Sequence, residues 1–78
     1  MDTFQVAFRA FEDVRDFVSL ALTQPYDLTV SSGNRTVDAK SMMVMFSLDY
    51  SRPVEVRGAC SQADLTAFAE LAAKFRVP

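Results

Sequence analysis

The sequence predicts an α+β open-faced sandwich, a four-stranded antiparallel sheet with three helices on one face, in the order βαββαβα. Three observations carry this. Phe4, Val6 and Phe8 alternate with polar or small residues, the mark of a strand with one buried face. Phe11, Val14, Phe17, Val18, Ala21 and Leu22 recur at helical spacing, and so do Leu65, Phe68, Ala69, Ala72 and Phe75. A length of 78 residues leaves room for one domain, residues 1–78.

The first strand is expected over Thr3–Arg9. A helix follows from about Ala10, with Glu12 and Asp13 in its first turn favouring the positive end of its dipole. Pro25 stops it near Thr23. Leu28–Ser31 and Arg35–Ala39 form the next two strands, joined by Ser32-Gly33-Asn34, a sequence suited to a hairpin turn. Lys40 to Leu48 reads by periodicity as a buried strand or a short helix. Ser41 as N-cap and the methionines favour one to two turns of helix. Val54 and Val56 alternate with Glu55 and Arg57 in a fourth strand ending at Gly58. Ser61 and Asp64 then approximate a capping box for a last helix over Gln62–Arg76. Right-handed crossovers split by an intervening strand put the sheet in the order 1-4-2-3.

Composition narrows the function. The net charge is −2, with ten acids against eight bases, and the sequence pI is 4.8, so nothing neutralises a phosphate backbone and no nucleic-acid partner is expected. The longest apolar run, Met42 to Phe46, is far short of the roughly 20 residues of a membrane span, and no secretory signal is visible. The single cysteine fits a reducing cytoplasm. There is no histidine, hence no Ser–His or Cys–His nucleophile pair and no histidine metal ligand. Neither enzymatic activity nor a metal or cofactor is expected. Arg9, Arg15, Arg35, Arg52 and Arg57 read as a solvated surface.

Gly33-Asn34-Arg35-Thr36-Val37-Asp38-Ala39-Lys40-Ser41-Met42-Met43, followed by Ser47-Leu48, resembles the hairpin and regulatory-serine segment of HPr, the phosphocarrier of the bacterial sugar phosphotransferase system. The similarity continues through Pro53-Val54-Glu55-Val56 and Cys60-Ser61-Gln62-Ala63-Asp64, and the element order agrees over nearly the whole chain. The resemblance implies an HPr-like sandwich in a cytoplasmic bacterial protein, with partners among phosphotransferase-system proteins or metabolic regulators. It also shows a departure. The family carries its phosphoryl group on a histidine between the first strand and first helix, where this chain reads Arg9-Ala10-Phe11-Glu12-Asp13 and is about three residues shorter. Phosphohistidine transfer is chemically impossible here, and two acids would repel an incoming phosphoryl anion.

Ser41 is the candidate for regulatory phosphorylation by resemblance, although capping the short helix is sufficient reason for a serine. Met42, Met43, Met45 and Phe46 are candidate partner-binding residues, because a short helix on a sheet cannot bury them all and the family docks partners there. Val44 replaces a glycine common in the family, which changes that surface. Cys60 is the only soft nucleophile, at the end of the sheet opposite the first loop. A small residue filling a strand-to-helix turn explains it. The expectation is a regulatory or protein-binding HPr-like module. The alternatives are a phosphocarrier using Ser41 or Cys60, and an unrelated sandwich that forms oligomers.

Overall fold

A computed structural model describes residues 2–77. Its elements are β1 (Thr3–Val6), α1 (Phe11–Leu22), β2 (Leu28–Ser32), β3 (Arg35–Asp38), α2 (Met42–Met45), β4 (Val54–Gly58) and α3 (Gln62–Leu71), with a closing 3₁₀ turn (Ala73–Phe75). The strands lie in the order β1-β4-β2-β3, every neighbour antiparallel, as the crossover rules require. The register sorts side chains by face. Phe4, Val56, Val30 and Val37 form one row across all four strands, and Val6 faces Val54 beside it. The opposite face carries Thr3, Arg57, Thr29 and Asp38 in one row and Gln5, Glu55, Ser31 and Thr36 in the next. One face is apolar and the other wet.

All three helices contribute to the core on the apolar face: Val14, Phe17, Val18 and Ala21 from α1, Met45 from α2, and Leu65, Phe68 and Ala69 from α3. Phe68 ties the layers together, with its ring 6.1 Å from Phe4 in the sheet and 5.7 Å from Phe17 in α1. Such aromatic pairs are worth about 0.5–1.5 kcal/mol each beyond their area.

Two members of the expected α1 stripe are exposed. At 100° per residue the four buried positions span an arc of about 100°, with Phe11 and Leu22 roughly 70° and 90° from its centre. Phe11 and Leu22 therefore face solvent. β1 also ends earlier than expected, at Val6, although Phe8 beyond it still points inward and is buried.

The last helix is shorter too. α3 stops at Leu71 and tightens into the 3₁₀ turn instead of running to Arg76. This redirection drops Phe75 into the core and leaves the following residues extended along β1. There the Ala7 N–H donates to the Phe75 carbonyl at 2.8 Å and the Val77 N–H to the Gln5 carbonyl at 3.1 Å. The outer edge of β1 is thus covered, which helical periodicity cannot reveal.

Local chemistry explains the joints. Gly33 takes φ 61° at the first central position of the β2–β3 hairpin, and Asn34 has no positive φ, the pattern of a II′ turn. The Ser61 hydroxyl accepts the Asp64 N–H at 3.1 Å and caps α3 as expected. Gly58 is needed for space: a Cβ there would come 2.8 Å from the Cys60 sulfur and 3.2 Å from Leu28 Cδ2. Gly58→Ala should therefore cost about 1–3 kcal/mol, the typical penalty of overpacking. Denaturant unfolding of the variant checks this, and a stability equal to wild type would refute the packing argument.

Candidate functional site

The connection between β1 and α1, the start of α1 and the segment after α2 meet at one end of the sandwich. Phe8 lies at their junction, its ring 5.2 Å from Phe17, 5.2 Å from Tyr50 and 5.4 Å from Phe75. Above it opens a depression of about 470 Å³, walled by Phe8, Ala10, Phe11, Val14 and Tyr50, with Arg9, Glu12 and Ser51 also lining it. The N-cap of α1 is Ala10, whose side chain caps nothing. Asp13 reaches back instead, its Oδ2 accepting the Arg9 N–H at 2.9 Å. Where the helix dipole would favour an incoming anion, this chain supplies its own carboxylate.

α2 has only four residues, so its position depends on what holds its ends. Beyond its C-terminus, Arg35 donates to the Ser47 carbonyl at 3.3 Å and to the Ser47 hydroxyl at 3.2 Å, and the Tyr50 hydroxyl donates to the Met45 carbonyl. The Tyr50 hydroxyl satisfies a carbonyl that the helix end leaves open, and Arg35 anchors the residue just beyond that end. At its start, the Lys40 N–H donates to Asp38 Oδ1 at 2.9 Å, and the Lys40 ammonium is occupied by the Gln24 carbonyl at 2.8 Å.

Held this way, α2 exposes some of the candidate residues and hides one. Met43 is 85% exposed, Met42 36% and Phe46 39%, whereas Met45 is fully buried in the core. Met45 is therefore removed from the partner-binding candidates, because one turn of helix resting on a sheet must turn a residue inward. Phe11 takes its place. It is 75% exposed and packs edge-on against Phe46 at 5.5 Å, so α1 and α2 share one apolar patch. No sequence signal separated it from the rest of its stripe, whose opposite edge, Phe17, is buried.

Ser41 occupies the N-cap position of α2, half-buried, but its side chain makes no capping hydrogen bond, contrary to the expected cap. Its backbone carbonyl does accept the Met45 N–H. Cys60 lies at the far end of the sheet, lining a cleft with Asp2, Arg57 and Ser61. Burial pushes its thiol pKa up and Asp64 adds to the rise, against a smaller lowering from the Tyr26 hydroxyl. The start of α3 thus does not activate it. Among the described residues, no group of three or more His, Cys, Asp or Glu side chains could hold a metal ion, and no helix is long and apolar enough to cross a membrane.

Burial pushes the Tyr50 phenol up from 10.0 to about 12. A tyrosine is neutral when protonated, so a raised folded value means the fold favours the protonated donor. That contribution is fully present below about pH 10 and is lost as pH rises toward 12. Tyr50→Phe should flatten most of the stability loss over this range, with Tyr26, also raised by burial, leaving a smaller slope. Urea unfolding across that window, paired with tyrosinate absorbance, measures both. An unchanged slope in the variant would refute the assignment.

No protein-family model matches the chain, and a search of curated proteins finds no relative. Solved structures do match. HPr-C-His from Thermoanaerobacter tengcongensis superposes with a TM-score of 0.73 at 21% identity, covering 95% of this chain and 93% of that one. The phosphocarrier protein HPr from Bacillus anthracis superposes with a TM-score of 0.71 at 25% identity, with the same coverage of both chains. Over 95% of its length, this histidine-free chain has the HPr-like fold, an open-faced α+β sandwich.

Proposed function

We propose that the chain is a cytoplasmic bacterial HPr-like protein of the sugar phosphotransferase system that acts by binding protein partners, in a regulatory role, and does not carry phosphate on histidine. The observation that carries this reading is the apolar patch of Phe11, Met42, Met43 and Phe46, beside an α1 N-terminus already holding the Asp13 carboxylate. The two solved structures named above are HPr proteins, and the sequence resemblance implies a family that carries its phosphoryl group on a histidine before the first helix. Here the corresponding segment offers Glu12 and Asp13 and an aromatic depression. Flexible methionines and aromatic rings suit a contact surface, and their desolvation rewards association.

A carrier using Cys60 draws no support from a thiol pushed up in pKa. Ser41 keeps a hydroxyl uncommitted to capping, which supports a second role for the serine: phosphorylation there would place a dianion beside the exposed methionines and alter partner choice. An unrelated oligomerising sandwich is disfavoured by the fold match.

Incubation with the first enzyme of the phosphotransferase system and labelled phosphoenolpyruvate should leave the chain unlabelled. Acid-labile or thiol-linked label would overturn the reading. For binding, Met43→Ala should change folding stability by less than about 0.5 kcal/mol while weakening association about tenfold. Met45→Ala should instead cost about 2–5 kcal/mol of folding stability, because it opens a cavity in the core. Unfolding curves and pull-downs on both variants and on Phe11→Ala separate surface from core. Full association of Met43→Ala and Phe11→Ala would eliminate this patch as the docking surface.

A further inference from the structure

The three methionines of α2 share one helical turn, and the fold treats them differently. Met43 is 85% exposed, Met42 36% exposed and Met45 wholly buried. Residues two apart on a helix point about 200° apart, so a single turn resting on a sheet sends Met43 outward and Met45 into the core. The Met45 sulfur is further shielded, 3.7 Å from the Tyr50 hydroxyl oxygen, and that hydroxyl donates to the Met45 carbonyl. Met43 has no such cover, and it stands in the apolar patch with Met42, Phe11 and Phe46.

Exposure decides which sulfur reacts. A thioether carries no proton, so its nucleophilicity does not wait on ionisation and an oxidant needs only access to it. A thiol must first ionise. Cys60, the single cysteine of the chain, is kept protonated by burial and by the nearby Asp64, and so competes poorly for the same oxidant. A sulfoxide at Met45 would put a polar group into the core, but the fold covers that sulfur. Oxidation under native conditions is thereby confined to the surface side of α2.

We propose that Met43 is an oxidation site, converted by a peroxide to the sulfoxide, and that the change turns off the apolar patch of α1 and α2. The sulfur lone pair attacks one peroxide oxygen, and an S–O bond forms as the O–O bond breaks. The departing hydroxide takes the proton of the transferred oxygen and leaves as water. Sulfur gives up two electrons and the peroxide gains them. The product is a polar, chiral group at the most exposed point of the patch. Reduction by a methionine sulfoxide reductase reverses the step, the oxygen leaving as water while a dithiol closes to a disulfide. The effect on a protein partner rests on the binding role proposed above; the modification and the loss of apolar surface do not.

Hydrogen peroxide is the probe, applied to the folded chain, with each methionine followed by fragment-ion mass spectrometry. Met43 should oxidise fastest, and Met45 at least about tenfold more slowly, because its sulfur is reached only when the fold opens. Protein oxidised at Met43 should keep its denaturant midpoint yet elute earlier from a phenyl-substituted column, which serves as a generic apolar surface. Met43→Leu preserves the apolar volume, so it should match wild-type retention and resist the peroxide-induced shift. Reductase and dithiol should restore the retention of the oxidised protein. Equal oxidation rates at Met43 and Met45 would overturn the proposal, as would unchanged retention after oxidation or a full shift in Met43→Leu. Should oxidation shift retention while Met43→Ala still binds protein partners fully, the docking reading fails and the oxidation site stands.

Discussion

The Phe8 ring sets the geometry of one whole end of this molecule. It lies just beyond β1, yet it touches α1 through Phe17, the 3₁₀ turn through Phe75 and the segment after α2 through Tyr50. Four chain segments distant in sequence meet on one side chain. Tyr50, pinned there, donates to the Met45 carbonyl and so holds a one-turn helix too short to persist by itself. Burial of one aromatic residue is thereby converted into the placement of Met42, Met43 and Phe46 on the surface. On the proposed reading, the binding surface is a consequence of the core beneath it.

The electrostatics of the same end follow a related logic. An α-helix N-terminus attracts anions, and in this chain the attraction is met internally by Asp13. The exposed Glu12 next to it adds a negative charge. Two of the nearby positive groups rest on aromatic rings, the Lys74 ammonium 4.9 Å over Phe75 and the Arg76 guanidinium 5.5 Å over Phe4. Arg9 lines the depressions on both sides of the loop.

Much of this was legible in the sequence, and the failures have physical causes. Alternation at Phe4 and Val6, and the spacing of Leu65, Phe68 and Ala69, report burial correctly because each residue's direction is set by its own backbone period, whereas Phe8 and Phe75 are buried from beyond the ends of their elements. The sheet order followed from connection rules alone. Periodicity could not show that Phe11 and Leu22 lie outside the buried arc, since a stripe has no visible edge in a residue list. Nor could it choose among Met42, Met43 and Met45, because five consecutive apolar residues fit a helix in any rotation. Ser41 had the right residue type for a cap, but a four-residue helix does not enforce cap geometry. The end of α3 at Leu71 is set by the vacancy along β1, a tertiary fact absent from local propensity.

That covering of β1 has a further consequence. With the C-terminal residues in place, only the β3 side of the sheet offers unpaired strand backbone among the described residues, and β3 is short, charged at Arg35 and Asp38, and poorly suited to recruit another strand. Were residues 76 and 77 drawn away, by proteolysis or by a fusion pulling on the tail, the sheet would have two open edges on opposite sides. An edge that pairs with the other edge of the next molecule makes a heterologous contact, and such contacts repeat without closing unless the rotation happens to form a ring. Two backbone hydrogen bonds at the end of the described chain therefore keep the more apolar of the two edges closed, and leave open only the one that resists pairing.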